Sequence, residues 1–275
     1  MTNWLLFFFV FITGAITGSF LNVVIYRYPI MLKTQWRKEC AAFLNQATET
    51  EAMTFNLFLP RSHCPHCQTM IPIWHNIPIV SFILLLGKCR NCKNPISLRY
   101  PIVELLTAIL SVVIVAKFDL SWITLAIWIF TCGLIILSFI DWQHQLLPDN
   151  LTLALLWLGL ICATQNLFIT PTSAVLGATI GYMFLWIIAK IYFLIRKQEG
   201  LGYGDFKMLA MLGAWVGTMS ILNILLLSSV LALVINLYFL IRGKITTTKP
   251  VPFGPYLAIA GWITIVYGPI LGYMR

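Results

Sequence analysis

The sequence has 275 residues, of which 60% are hydrophobic and only 10% are charged. Its mean hydropathy of +0.88 excludes an ordinary soluble domain. The net charge of +9 is not arranged as a basic stripe with interleaved aromatic residues, so a nucleic-acid-binding protein is also excluded. We therefore expect an all-α polytopic membrane protein.

Apolar segments predict about eight transmembrane helices, since about 20 apolar residues span a bilayer. The first, residues 4–26, has no leading basic region, and Arg27 follows its apolar run. We interpret it as a retained helix and not as a cleaved signal peptide. Its Gly14 and Gly18 have the spacing of a helix-packing interface. The other segments are 101–116, 122–140, 151–168, 174–195, 206–219, 221–241 and 253–273.

The distribution of lysine and arginine predicts the orientation. Outside the helices, nearly all of these residues lie in the connections 28–100, 141–150, 196–205 and 242–252. By the positive-inside rule these connections are cytoplasmic and both termini face the opposite side. The predicted organisation is a first transmembrane helix, a cytoplasmic insert and a seven-helix membrane domain, at residues 1–27, 28–100 and 101–275.

Two acids are predicted to meet at the cytoplasmic face. Asp141 ends the third predicted span and Asp205 begins the sixth. Ionisable residues at such positions usually have a function, and two close carboxylates share a proton, as in aspartic proteases. Helix dipoles predict that Asp205 is the anion and Asp141 the protonated partner. An alternative is that Asp205 is only a helix N-cap.

Other residues near these acids have simpler interpretations. Gly202 and Gly204 would let an extended substrate backbone approach, because they have no side chain. Asp149 is predicted to be a cap or turn residue, and Lys207 an interfacial cation. Glu104, near the start of the second span, is ambiguous.

Four cysteines in the insert predict a zinc site. Cys64 and Cys67 form one CxxC pair, and Cys89 and Cys92 form a second one after 21 intervening residues. This spacing fits tetrahedral zinc held by four thiolates, and zinc would supply folding energy to an insert with little core. The first pair alone also resembles a thiol–disulfide redox motif. Alternative ligands are His63, His66 and His75.

The motifs together resemble the prepilin peptidase family, the leader peptidases and N-methyltransferases of type IV pilus and type II secretion systems. They are "GSFLNVVIYRYP", "CPHC", "WHNIPIVSFILLLGKCRNC", "RYPIVELLT", "DWQHQLLPDNLT" and "GLGYGDFKMLAMLGAW". The resemblance covers nearly the whole chain, although residues 31–60 match no motif. It implies an enzyme of the bacterial inner membrane, with periplasmic termini, that acts on prepilin or pseudopilin precursors.

The resemblance also implies the chemistry and its residues. The enzyme would cleave a basic leader peptide after glycine at the cytoplasmic face and then methylate the new N-terminus with S-adenosylmethionine. Asp205 matches the acid of the GxGD motif, Asp141 matches its partner, and the four cysteines match the zinc ligands. Gly87 matches a glycine associated with methyl transfer, which makes it a candidate cofactor-binding residue.

Two other classes of function remain open from the residues alone. A proton-coupled transporter could use the two aspartates as a relay, although the inverted repeats of many transporters are not evident. A membrane-anchored thiol oxidoreductase could use the cysteine pairs.

Overall fold

The computed structural model describes residues 4–45, 55–72, 74, 77–198, 200–243 and 251–269. In these ranges the regular secondary structure is helical, and β structure is limited to isolated bridges. The all-α prediction is confirmed for this part of the chain.

Nine α-helices lie in the described ranges, and eight of them coincide with the predicted spans. The additional one, α2, is a five-residue helix in the insert. The helices are α1 (Trp4–Phe43), α2 (Val80–Leu84), α3 (Arg99–Phe118), α4 (Trp122–His144), α5 (Asp149–Thr164), α6 (Pro171–Arg196), α7 (Tyr203–Val216), α8 (Ile221–Ile241) and α9 (Gly254–Tyr267).

Five helices are long and apolar enough to cross a membrane, namely α1, α3, α4, α6 and α8. The remaining long helices, α5, α7 and α9, have only 16, 14 and 14 residues. The chain is thus a polytopic membrane protein, as predicted, in which three of the eight predicted spans are short.

The chain forms two compact units, Met1–Leu120 and Ser121–Arg275. In the first unit α1 packs closely on α3 through its glycines: a Cβ on Gly18 would lie 2.7 Å from the Cα of Glu104. This confirms the predicted packing role of Gly18. This packing places α3 in the same unit as α1. The predicted division at residue 100, between the insert and the seven-helix domain, was based on membrane topology and stays a prediction.

α1 is longer than predicted, because it continues beyond residue 26 to Phe43 and passes through Pro29. Arg27 is buried within it. The guanidinium group donates to the backbone oxygens of Asn56 (2.9 Å) and Pro60 (2.6 Å). Arg27, which follows the apolar run, therefore does not end the helix but fixes the position of the segment that follows α1.

α7 is the most buried helix of the second unit. A Cβ on Gly181 of α6 would lie 2.8 Å from the Leu209 oxygen, so these two helices are in backbone contact. On another side, Trp215 donates from Nε1 to the Leu155 oxygen of α5 (2.9 Å) and packs on Phe130 of α4 with ring centroids 4.4 Å apart. This packing fixes the start of α7, where Asp205 lies.

Candidate active site

Asp205 lies in the first turn of α7 and is half-buried. The N-cap position of α7 is occupied by Gly202, which has no side chain to cap the helix. The backbone N–H of Asp205 donates to the Gly202 oxygen (3.1 Å). Asp205 is therefore not the N-cap residue itself, but a backbone hydrogen bond from Gly202 also reaches its carboxyl group, so Asp205 contributes to this helix N-terminus as the alternative interpretation expected.

Asp141 lies in the last turns of α4 and is only 6% exposed. Its Oδ2 accepts the backbone N–H of Gly254 (2.9 Å), a residue 113 positions later in the chain. Gly254 is the first residue of α9, so Asp141 lies at the positive end of that helix dipole. Both acids are thus at helix N-termini, and the argument from helix dipoles no longer assigns the proton to Asp141.

The structure brings the two acids near each other in the second unit. Gly204, the residue before Asp205, packs on Leu147 of the loop that follows α4 and Asp141, and the two carboxyl groups are close enough for a charge on Asp141 to act on Asp205. The arrangement therefore allows two carboxyl groups to act on one substrate bond. Their role as a catalytic pair stays a prediction.

The two glycines before Asp205 have different surroundings. A Cβ on Gly204 would lie 2.8 Å from the Cβ of Leu147, which is buried in the loop after α4. Gly204 thus permits this loop to pack against α7. Gly202 is exposed, and among the described atoms a Cβ there would meet Asp205 Oδ2 at 3.5 Å. Contact of either glycine with substrate stays a prediction.

Asp149 is the first residue of α5, but its side chain does not cap the helix. Its two oxygens instead accept from Lys207 Nζ, at 2.7 and 2.6 Å. The position of Asp149 at the start of α5 agrees with the prediction of a cap or turn residue, which did not include this contact with Lys207. The ion pair joins α5 to α7 two residues after Asp205, and no local pattern in the sequence predicts it.

We expect the Lys207→Gln and Asp149→Asn proteins to lose similar, small amounts of precursor cleavage. The two side chains are 30% and 53% exposed, and exposed ion pairs contribute about 0.2–1 kcal/mol, which corresponds to less than about tenfold in rate. Cleavage rates of both single variants and the double variant would measure the coupling. A much larger loss for Asp149→Asn than for Lys207→Gln would instead give Asp149 a chemical role.

Gly254 is a site residue that the sequence analysis missed. Its signal was a glycine followed by proline at the start of the last apolar segment, an arrangement that suits a helix N-terminus. A Cβ at this position would lie 2.7 Å from Asp141 Oδ2 and 3.2 Å from its Cγ. Only a residue without a side chain can donate its N–H to Asp141 at this distance.

The Gly254→Ala protein should cleave precursor about 100-fold more slowly, because its methyl group displaces the Asp141 carboxylate and a displacement of about 1 Å can cost that much. The control is Gly243→Ala, which strains a backbone position of positive φ (+66°) after α8 but whose methyl group would have no described atom within 4 Å. Initial rates at saturating substrate would check the prediction. Equal rates for the two variants would contradict it.

The four cysteines of the insert form a cluster in the first unit. Their Sγ atoms all lie within 4.8 Å of one another, and those of Cys64 and Cys92 are 3.8 Å apart. A tetrahedral site with Zn–S bonds of about 2.3 Å requires S···S distances of about 3.8 Å. The cluster therefore fits a metal ion. His63 and His66 are not part of it, and His75 lies outside the described residues.

The two cysteine pairs are held by matching turns. After Cys64, the N–H of Gln68 donates back to its oxygen (2.9 Å), and the same bond runs from Lys93 to Cys89 (3.0 Å). Gln68 and Lys93 both have positive φ angles, of 58°. These turns point the thiols of each pair towards a common centre. This internal similarity was not evident in the sequence.

Hydrogen bonds prepare the cluster for a cation. Those from the side chain and backbone of Thr69 lower the pKa of Cys67 to about 5. Backbone N–H groups of Cys92 and Asn91 likewise lower the pKa of Cys89. At Cys92 a backbone hydrogen bond from Asn94 lowers the pKa, but burial and the other three thiols raise it to about 11. Metals bind the thiolate form, so the contacts favour metal binding at Cys67 and Cys89, and a cation would offset the mutual repulsion of the four thiolates.

Gly87 connects α2 to the second cysteine pair. Its φ angle is +66°, and a Cβ would lie 3.0 Å from the Phe82 ring. Its oxygen accepts the N–H of Ile96 (2.7 Å). The positive φ angle thus explains why a glycine occupies this position. Contact of Gly87 with a cofactor stays a prediction.

Known proteins match both units. Residues 12–118 match the Bacterial Peptidase A24 N-terminal domain, and residues 128–237 match the Type IV leader peptidase family. The chain is 48% identical to the prepilin leader peptidase/N-methyltransferase of Stutzerimonas stutzeri, over 94% of this chain and 89% of that one. It is 46% identical to a relative of the same name from Aeromonas hydrophila, over 96% and 92%. No solved structure matches the chain significantly. The chain therefore belongs to the type IV leader peptidase family.

Proposed function

We propose that this protein cleaves the basic leader peptide of type IV prepilin or pseudopilin precursors after glycine and then methylates the new N-terminus. The observation that carries the proposal is the approach of Asp141 and Asp205 within one unit. The names of the relatives, which combine a leader peptidase and an N-methyltransferase, support the same two activities.

Asp141 and Asp205 are the proposed catalytic pair. One carboxylate takes a proton from water as the water attacks the scissile carbonyl, and the other, protonated, donates to the carbonyl oxygen. The N–H of Gly254 holds Asp141 in place, and the close packing of Gly204 on Leu147 orients the start of α7. The exposed Gly202 leaves room for an extended substrate backbone.

The charge distribution supports cleavage at the cytoplasmic face of the inner membrane, with both termini in the periplasm. Asp205 ends the connection 196–205, which carries Arg196 and Lys197, and Asp141 begins the connection 141–150 on the same predicted side. A precursor with a polar leader and an apolar helix would present its scissile bond at this depth. The substrate helix could then bind from the side, within the bilayer.

The first unit supports the second activity. Cys64, Cys67, Cys89 and Cys92 would hold a structural zinc ion that stabilises the insert. S-adenosylmethionine, when bound, supplies the methyl group. The insert's own residues would bind and orient this donor near the new amine.

The test is to incubate the purified full-length protein with a precursor that carries a basic leader ending in glycine. Mass spectrometry should find cleavage after that glycine and, with S-adenosylmethionine present, a product heavier by one methyl group. A precursor in which the glycine is replaced by a bulky residue is the control and should stay intact. An intact normal precursor would refute the peptidase proposal.

The two other classes of function receive no support from the comparisons, in which the named relatives are peptidases. In addition, Asp141 is three residues from the end of α4 and Asp205 is in the first turn of α7. A proton relay across a membrane would favour acids near mid-helix.

A further inference from the structure

A large cavity lies within the first unit, which does not contain the two acids. It has a volume of about 820 Å³, within the range of about 300–1,000 Å³ that is usual for small-molecule sites. Its walls come from α1, from residues 77–85 and from the first turns of α3, and the cysteine pairs border it. Residues of its wall that bear on ligand chemistry are Ser19, Asn22, Tyr26, Phe82, Tyr100 and Glu104.

Asn22 gives this cavity a polar atom without a protein partner. The side chain is 1% exposed. Its Nδ2 donates to the oxygens of Tyr100 (3.0 Å) and Gly18 (3.3 Å), and these bonds fix the orientation of the amide. Among the described atoms its Oδ1 has no donor. Buried polar atoms are nearly always paired, so Oδ1 is positioned to accept a hydrogen bond from a molecule in the cavity.

Glu104 gives the same cavity a buried carboxyl group. It is 7% exposed, and its Oε2 accepts the N–H of Ile79 (2.8 Å). It faces α1 where Gly18 allows the two helices to approach, so it is held near Asn22. Ser19 also hydrogen-bonds to this carboxyl group, but neither contact brings a positive charge. A cationic ligand would supply one to a buried carboxylate.

The rest of the wall suits a ligand with a flat ring and a carboxylate. Tyr26, Phe82 and Tyr100 provide aromatic surface. The guanidinium of Arg99 lies over the rings of Tyr100 and Tyr26, at 5.0 and 6.0 Å. Aromatic faces stack on purines, and arginine binds carboxylates.

We propose that this cavity binds the methyl donor S-adenosylmethionine, with Asn22 accepting a hydrogen bond from it and Glu104 facing its positive charge. The proposal rests on the methyltransferase activity proposed above. In the transfer, the new N-terminal amine forms a bond to the methyl carbon and the carbon–sulfur bond breaks. Sulfur keeps the electron pair, which leaves S-adenosylhomocysteine, and the surplus proton of the amine passes to water.

The positive charge of S-adenosylmethionine allows a binding test that does not depend on catalysis. Equilibrium dialysis of the zinc-loaded full-length protein would measure the Kd for S-adenosylmethionine and for S-adenosylhomocysteine, which lacks the sulfonium charge. Glu104→Gln should raise the first Kd at least tenfold and the second much less. Asn22→Leu should raise both. The control, Glu39→Gln, removes an exposed carboxylate of the same unit and should change neither.

Zinc content and helicity would verify that each variant is folded. Cross-linking gives a second measurement without a variant: ultraviolet irradiation of the wild type with labelled S-adenosylmethionine should label peptides within residues 19–30 or 77–104. Unchanged Kd values in both folded cavity variants would overturn the proposal, as would label confined to residues 121–275.

The outcomes separate the two proposals. A wild-type protein that methylates its product but is labelled only in the second unit would retain the proposed function and lose the proposed site. A wild-type protein that neither methylates nor binds the donor would refute the methyltransferase function and the site with it.

Discussion

Replacing either Asp141 or Asp205 with asparagine should lower precursor cleavage by about 1,000-fold or more. Asparagine keeps the size of the side chain but can neither take a proton from water nor donate a carboxylic proton, and general acid–base groups contribute about 10²–10⁴-fold each. Because the two acids act as a unit, the double variant should be hardly slower than either single one. Cleavage of a defined precursor by the purified proteins would check this.

The matched control is Asp119→Asn, which makes the same change at an exposed acid between α3 and α4. This control should cleave at the wild-type rate. Full proteolysis by the Asp205→Asn protein would refute the proposed pair. A selective loss with Asp205→Asn but not with Asp141→Asn would leave a single essential acid and exclude a shared proton.

Removing the metal should unfold the segments that carry the cysteine pairs, residues 62–72 and 85–98, while most of the helices persist. Structural zinc contributes about 10–16 kcal/mol to the folding of small peptides, and residues 62–72 and 85–98 contain little helix or buried core of their own. A strong chelator, or Cys64→Ser, should therefore make this region sensitive to protease. The circular dichroism of the helices should change little.

The control for the cysteine change is Cys40→Ser, an exposed thiol of the same unit outside the cluster. Elemental analysis should find one zinc ion per chain in the wild type and in this control. Wild-type protein that contains no zinc and forms a disulfide between these cysteines would contradict the metal site and favour redox chemistry.

The helical architecture was predictable because hydrocarbon allows few solutions: a spanning segment must satisfy its own backbone hydrogen bonds. Apolar length therefore located all eight long helices. The end of α1 was not predictable in this way. Residues 33–43 are largely polar, so apolar length does not predict that the helix continues to Phe43.

The candidate site was predictable only in part. Asp141, Asp205 and the cysteines stand out because charged residues and paired thiols are rare in an apolar chain. The contact between Asp141 and Gly254 joins distant positions, so local patterns carry no trace of it. The pairing of Lys207 with Asp149 was missed for the same reason, since cap statistics describe only neighbouring residues.

The short helices have a consequence for the surrounding lipid. α5, α7 and α9, with 14–16 residues, rise only about 21–24 Å, whereas the hydrocarbon layer is about 30 Å thick. α7 is largely buried, so lipids meet α5 and the exposed side of α9, where they must shorten or tilt their chains to avoid hydrophobic mismatch. Headgroups and the water that proteolysis consumes are thereby drawn inward near Asp141 and Asp205, and the turnover rate should depend on the acyl-chain length of the host membrane.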